Sequence, residues 1–417
     1  MKNIHKLFWT ALSVLSAILI FYRSSKNNVC KSYSDYFFIH TSENCWHEVG
    51  VYAEVPQIVL QRNHTLETYY SVTEDGFFLR TFRLLPKGKP KGVIFLEHSF
   101  IANSEIWIDI GDQSLGFYLL NEGYEIWLGN MRGSKYSNTH EKYTTSDFEF
   151  WDWSFHEQGV YDISSQLDVV KKITNRSDII FISYSMGGTS SIVYASLRPE
   201  HAKKSVKAMI HFAPIVYLSH LKGFGAILSN WTTKSRFWDM LNWLRIGWLP
   251  HGPVLNYMKS IVCNSHPLKF LCLKANEVLI GQSKTEIDPI AAPTIIEKFP
   301  DASSTKSIHH FTQIHQAGGK LRQYDYGYDG NRKMYNATIP PLYPLENIRI
   351  PFFMYHGSED SFTDLKDIES FYEDLPPEAK MHGHKQVDNY NHFDLMFGKH
   401  RERDIYKHLL KLLRSIL

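Results

Sequence analysis

The sequence has almost no charge excess: 45 Lys plus Arg stand against 43 Asp plus Glu in 417 residues, a net of +2. Nucleic-acid binders normally carry a basic face or run, so that class is excluded. Charged residues make up only 21% of the chain against 43% hydrophobic, which excludes wholesale disorder. No C-x-x-C and no H-E-x-x-H spacing occurs, so the common zinc-ligand patterns are missing. Internal repeats and low-complexity tracts are absent as well. What remains is an ordinary packed-core composition, long enough for two or three domains or for one α/β sheet with an insertion.

The N-terminus reads as a targeting segment. Lys2, His5 and Lys6 precede an apolar run from Leu7 to Tyr22, shorter than the roughly 20 residues of a spanning helix. Residues 1–26 therefore fit a signal peptide. No clean small-x-small cleavage site precedes Arg23, so an uncleaved signal anchor, with the chain on the luminal or extracellular side, is the alternative. The four cysteines are Cys30, Cys45, Cys263 and Cys272. Three connectivities exist for them, of which two short local loops are the economical choice in an oxidising compartment. Glycosylation sequons at Asn63, Asn175, Asn230 and Asn336 point to the same secreted, lysosomal or luminal location.

Short apolar runs followed by turn chemistry organise the rest. Gly92–Leu96, Tyr124–Leu128 and Asp178–Ile182 read as buried strands, with Met209–Ala213 and Pro351–Tyr355 of the same character. Helical stretches such as Ser114–Glu122 and Gly188–Leu197 lie between them. Continuous apolar strands alternating with helices predict an α/β fold, a parallel sheet covered on both faces. Ahead of them, Thr68–Leu85 predicts a hairpin turning at Glu74-Asp-Gly76. Residues 215–344 predict an inserted, mainly helical cap, dividing the core into 27–214 and 345–417. Trp231, Trp238, Trp243 and Trp248 fall in that cap, with Phe237, Leu241 and Leu244 at helical spacing. The bland expectation for this stripe is packing of cap on core; the functional one is an apolar wall for a lipid chain.

Ser183-Tyr184-Ser185-Met186-Gly187 sits where a strand gives way to a helix. A serine on such a turn exposes its oxygen and places the next backbone N–H where an oxyanion forms. Its hydroxyl needs a base, and on this scaffold the order is Ser, acid, His. Asp360 lies just beyond the Pro351–Tyr355 strand, with Glu359 and Asp364 as weaker neighbours. His392 precedes the expected closing helix, Gly398–Leu417, whereas His382 and His384 lie on a strand-like segment. Ser185, His392 and Asp360 are thus the expected nucleophile, base and orienting acid, with the Met186 and Phe100 N–H groups as oxyanion donors.

From Thr68 onward the chain resembles the acid lipases of the α/β-hydrolase superfamily, the lysosomal and gastric type, in an insect-like branch. The resemblance rests on Thr73-Glu-Asp-Gly76, Leu96-Glu-His-Ser99, Trp127-Leu-Gly-Asn-Met-Arg-Gly133, Arg322-Gln-Tyr-Asp-Tyr-Gly327 and Asn391-His-Phe-Asp394. It implies an α/β-hydrolase fold with a helical cap, a cap disulfide at Cys263 and Cys272, and the same triad and oxyanion positions. It further implies hydrolysis of neutral lipid esters, acylglycerols or sterol esters, at a lipid–water interface and without a cofactor or metal. The family usually has His-Gly where this chain has His98-Ser99, and Gly-His-Ser-Gln-Gly at 183–187. These departures at Ser99 and Ser183 motivate the alternative, an impaired hydrolase-like protein that binds a lipid or a protein.

Overall fold

The computed structural model describes residues 27–249, 259, 262–263, 268–284 and 287–417; the expected leader, residues 1–26, lies outside them. The chain opens with a small clip, β1 (Val29–Cys30) paired to β2 (Cys45–Trp46) and closed by the Cys30–Cys45 disulfide. Helix α1 (Val55–Gln61) leads to an antiparallel hairpin, β3 (Thr65–Val72) and β4 (Phe77–Leu85). Gly76 takes the positive φ (95°) that its turn requires.

Strand β5 (Val93–Glu97), helix α2 (Leu115–Asn121), β6 (Glu125–Leu128) and β7 (Thr139–His140) come next. Helix α3 (Ile163–Thr174), β8 (Ile179–Tyr184), helix α4 (Met186–Leu197) and β9 (Val206–Phe212) follow. Helices α5 (Gly223–Lys234), α6 (Phe237–Trp243), α7 (Leu268–Ile280), α8 (Ala292–Lys298), α9 (Thr305–Gln316) and α10 (Gly327–Tyr335) come between β9 and the next strand. The chain returns to the sheet with β10 (Phe352–Gly357), α11 (Leu365–Asp374), β11 (His384–Val387) and α12 (Lys407–Ile416).

Strand order across the sheet is β11-β10-β9-β8-β5-β6-β4-β3, with β7 beside β4. From β11 to β6 the neighbours are parallel, whereas β4 and β3 are antiparallel. Alternate residues enter opposite cores. Ile94, Leu96, Ile180, Ile182 and Ile210 point into one, and Val93, Phe95, Ile179, Phe181 and Met209 into the other. Both faces are therefore buried, which is why these strands read as continuous apolar runs. Strand β5 has β6 on one side and β8 on the other, and such a switch in strand order leaves a crevice at the carboxyl ends where ligands bind.

The element edges differ from the expected ones by small shifts. Strand β9 starts at Val206 because Val206 and Ala208 already pair with β8. The closing helix α12 starts at Lys407, after a π-helical turn at Glu402–Tyr406. The aromatic stripe is the larger difference. Only Trp238 is buried, stacked on His309 at 5.0 Å; Trp231, Trp243 and Trp248 are exposed. Helix α6 is just seven residues long and begins after Arg236 in a left-handed conformation, so one face packs and the rest meets solvent. Among the described residues no helix is long and apolar enough to cross a membrane.

Candidate active site

Strand β8 ends at Tyr184, and Ser185 follows with φ 55° and ψ −122°. That region is strained for a residue with a Cβ, and it persists only where its surroundings over-determine it. Here the Ser185 N–H donates to the Phe212 carbonyl (2.8 Å), and the Gly188 N–H donates to the Ser185 carbonyl (2.9 Å). A Cβ on Gly187 would stand 2.4 Å from the His98 carbonyl oxygen, and one on Gly188 would stand 2.7 Å from Pro214 Cβ. Both glycines are needed for close approach. Ser183, two residues before Ser185, is fully buried, and its Oγ shares a 2.7 Å hydrogen bond with His211 Nδ1 on β9. Burial holds His211 neutral, its pKa lowered to about 3.

The parallel strands deliver the other groups at the same sheet edge. Asp360 follows β10, and its Oδ1 accepts from the Phe362 N–H (2.8 Å) and the Thr363 N–H (3.2 Å). Its Oδ2 accepts from His392 Nδ1 at 2.8 Å, and His392 Nε2 lies 2.8 Å from Ser185 Oγ. All three side chains are buried, each residue 4% exposed. The His392 loop is held by a reciprocal pair, Asn391 N–H to Asp394 Oδ2 (2.8 Å) and Asp394 N–H to Asn391 Oδ1 (2.9 Å). Asn391 Nδ2 also donates to the Gly281 carbonyl just past α7 (2.8 Å), so the end of α7 is tied to the His392 loop.

Met186 is the first residue of α4, and its N–H is one of the donors that a helix start leaves without an intrahelical acceptor. The Phe100 N–H likewise makes no hydrogen bond among the described residues. The loop carrying it is fixed by His98. The Met131 N–H donates to His98 Nε2 (3.0 Å), so the ring proton resides on Nδ1 and is donated to the Ser99 carbonyl (2.8 Å). Burial lowers the His98 pKa to about 4, and it raises that of neighbouring Glu97 well above the usual carboxylate value. Ser99 is buried without a clash, its Oγ donating to the Phe100 carbonyl (3.3 Å).

The neighbouring candidates do other work. Glu359 pairs with Lys284 (2.7 Å), and Asp364 caps α11 through the Lys366 N–H (2.9 Å). His384 lies 3.3 Å from His356 on β10, away from Ser185, and His382 precedes β11. Cys263 is bonded to Cys272 on α7. Asn63, Asn175, Asn230 and Asn336 are all exposed. The sequence marks Tyr184 only as part of the wall beside Ser185 and does not show that its hydroxyl reaches His392, nor that the Arg132 guanidinium bridges Asp162 and Asp75. The Arg132 and Asp75 pair lay in two of the quoted motifs. Among the described residues no cluster of His, Cys, Asp or Glu is disposed to hold a metal.

Two family models match: the alpha/beta hydrolase fold over residues 92–243 and the partial alpha/beta-hydrolase lipase region over residues 55–111. Lipase member K of Homo sapiens is 27% identical over 378 residues, 87% of this chain and 91% of its own. Gastric triacylglycerol lipase of Mus musculus is 27% identical over 371 residues, 86% of this chain and 91% of its own. A crystal structure from Sulfolobus solfataricus shares the fold, with a TM-score of 0.56 at 14% identity over 84% of this chain and 94% of that one. The sheet and the serine turn together define an α/β-hydrolase. Within that fold class the chain is similar to proteins named as lipases, gastric triacylglycerol lipase among them, at 26–27% identity over 86–90% of its length.

Proposed function

We propose that this chain is a secretory-pathway lipase that hydrolyses neutral lipid esters, acylglycerols or sterol esters, through an acyl-enzyme on Ser185. One observation carries the reading: an unbroken relay of two 2.8 Å hydrogen bonds, Asp360 to His392 to Ser185, ending on a serine in a strained turn. Ser185 Oγ attacks the ester carbonyl carbon while His392 Nε2 takes its proton. The carbonyl oxygen becomes an oxyanion between the Met186 and Phe100 N–H groups, a contribution of roughly 3–4 kcal/mol per donor. Collapse breaks the C–O bond, and the alcohol leaves with the proton from His392. Water then attacks the acyl-serine, His392 takes and returns a proton in the same way, and the carboxylic acid departs. Asp360 accepts the hydrogen bond from His392 Nδ1–H throughout, so the imidazole keeps its orientation and its charged form is stabilised.

In this reading residues 215–344 cap a core made of 27–214 and 345–417, and the cap must shift to admit substrate, because Ser185 is only 4% exposed. The outer face of the cap shows Ile227, Trp231, Met240, Trp243, Leu244 and Ile246 to solvent, Trp243 at 81% exposure. An apolar patch of this kind suits adsorption to a lipid–water interface. Two disulfides and four exposed sequons support a secreted or lysosomal location. N-terminal sequencing of the mature protein separates cleavage of residues 1–26 from retention as an anchor. The function is tested by assaying esters of rising acyl length with wild type and Ser185→Ala. Turnover that vanishes in the variant supports the proposal, and equal turnover in both refutes it.

A further inference from the structure

The residue before the nucleophile makes a contact that the relay does not need for proton transfer. The Tyr184 hydroxyl donates to the main-chain carbonyl of His392 at 3.0 Å, across 208 residues of sequence. The ring of Tyr184 also packs on the imidazole, centroids 5.2 Å apart and planes tilted by 33°. Phe362, from the Asp360 loop, approaches the same imidazole edge-on at 5.3 Å. Tyr184 is 1% exposed, so its hydroxyl has no water to turn to, and the bond to the carbonyl is the one that satisfies it.

We propose that Tyr184 is a positioning residue for the base, holding His392 through its backbone while the side-chain bonds of the imidazole change. The reasoning follows the proton. Before attack His392 has two anchors, Asp360 on Nδ1 and Ser185 on Nε2. Once the serine is acylated, its oxygen is an ester and no longer donates, so the Nε2 anchor is lost when the ring must activate water. The Tyr184 contact lies on the carbonyl, at the other end of the residue, and is untouched by acylation. Strand β8 thus delivers both the nucleophile and the clamp for its base, and the clamp matters most in deacylation. A serine-hydrolase turn with histidine in place of Tyr184 lacks this para hydroxyl.

This inference rests on the proposed triad, and its test keeps the two apart. Tyr184→Phe removes the hydroxyl and leaves the ring. With a chromogenic ester under pre-steady-state conditions, kcat is expected to fall about fivefold, the scale of one lost buried hydrogen bond. KM is expected not to rise, and the initial burst should grow relative to the steady rate, because acyl-enzyme accumulates. A purely structural role would lower the amount of folded enzyme and shrink burst and steady rate together. Fluorotyrosine at position 184 retains the volume and grades the donor, so kcat should vary with ring fluorination even if Tyr184→Phe folds poorly. Tyr184→Phe with kcat within twofold of wild type and an unchanged burst, or kcat indifferent to fluorination, overturns the positioning role. Loss of the triad reading itself would show instead as full activity in Ser185→Ala.

Discussion

The Met131 N–H donates to Nε2 of His98 at 3.0 Å, and this bond joins two sequence motifs that lie 33 residues apart. The same ring donates a hydrogen bond from Nδ1–H to the Ser99 carbonyl, so the loop bearing Phe100 is braced from inside. One residue beyond Met131, Arg132 bonds Asp162 and, in bidentate fashion, Asp75 of the hairpin turn. Arg132 is 2% exposed. The motifs Thr73–Gly76, Leu96–Ser99 and Trp127–Gly133 thus form one support behind the loop that bears Phe100.

His98→Phe keeps an aromatic ring and breaks both ring bonds. Catalytic efficiency toward esters is expected to fall at least tenfold, since one misplaced oxyanion donor costs about 3 kcal/mol when lost outright. The check is kcat/KM on a soluble ester with folding followed by circular dichroism; unchanged kcat/KM contradicts the brace.

Asp109 is buried, neither carboxyl oxygen has a hydrogen-bond partner, and burial raises its pKa to about 7. The folded chain therefore binds a proton that the unfolded chain, near 3.8, has already released. Its effect on stability is neutral below about 3.8 and increasingly unfavourable as pH rises toward 7. Asp109→Asn is expected to stabilise the protein, and by about 2 kcal/mol more at pH 7.5 than at pH 5. Thermal melts of both proteins at the two pH values measure this; a variant no more stable than wild type at pH 7.5 contradicts it.

Ser183→Gly removes the hydroxyl bound to His211 and leaves that buried imidazole without its partner. Stability is expected to drop by about 1–3 kcal/mol, the cost of an unsatisfied buried polar group, while kcat per folded molecule stays within twofold. A large gain in kcat would instead mean that Ser183 impairs the enzyme.

Trp243 and Leu244 end the exposed face of α6. The double change Trp243→Ser and Leu244→Ser is expected to leave hydrolysis of a dissolved short-chain ester unchanged and to lower hydrolysis of an emulsified triacylglycerol severalfold. Equal effects on both substrates contradict the interfacial role.

The sheet was legible because β5, β6, β8, β9 and β10 are buried on both faces, and such strands print continuous apolar runs. Ser185, Asp360 and His392 were legible because chain order and strand ends narrow the choice. The contacts that hold them were not. Tyr184 and His392 are 208 residues apart, and only the crossover of β8 and the last loop brings the hydroxyl to the carbonyl. Ser183 looked like a weakened glycine position; the space it fills belongs to His211, a residue of the neighbouring strand. The cap aromatics misled for a different reason. Helical spacing at Phe237, Leu241 and Leu244 marks one face of a helix, but spacing alone does not say whether core or solvent lies against it.

The most direct test is to treat the purified protein with a fluorophosphonate and locate the adduct by peptide mass spectrometry. A single phosphonyl group on the Ser185 peptide, absent after Ser185→Ala and strongly slowed after His392→Ala, is the predicted result. A protein that turns over no ester and carries no adduct at Ser185, or one labelled on a different serine, would contradict the proposed mechanism.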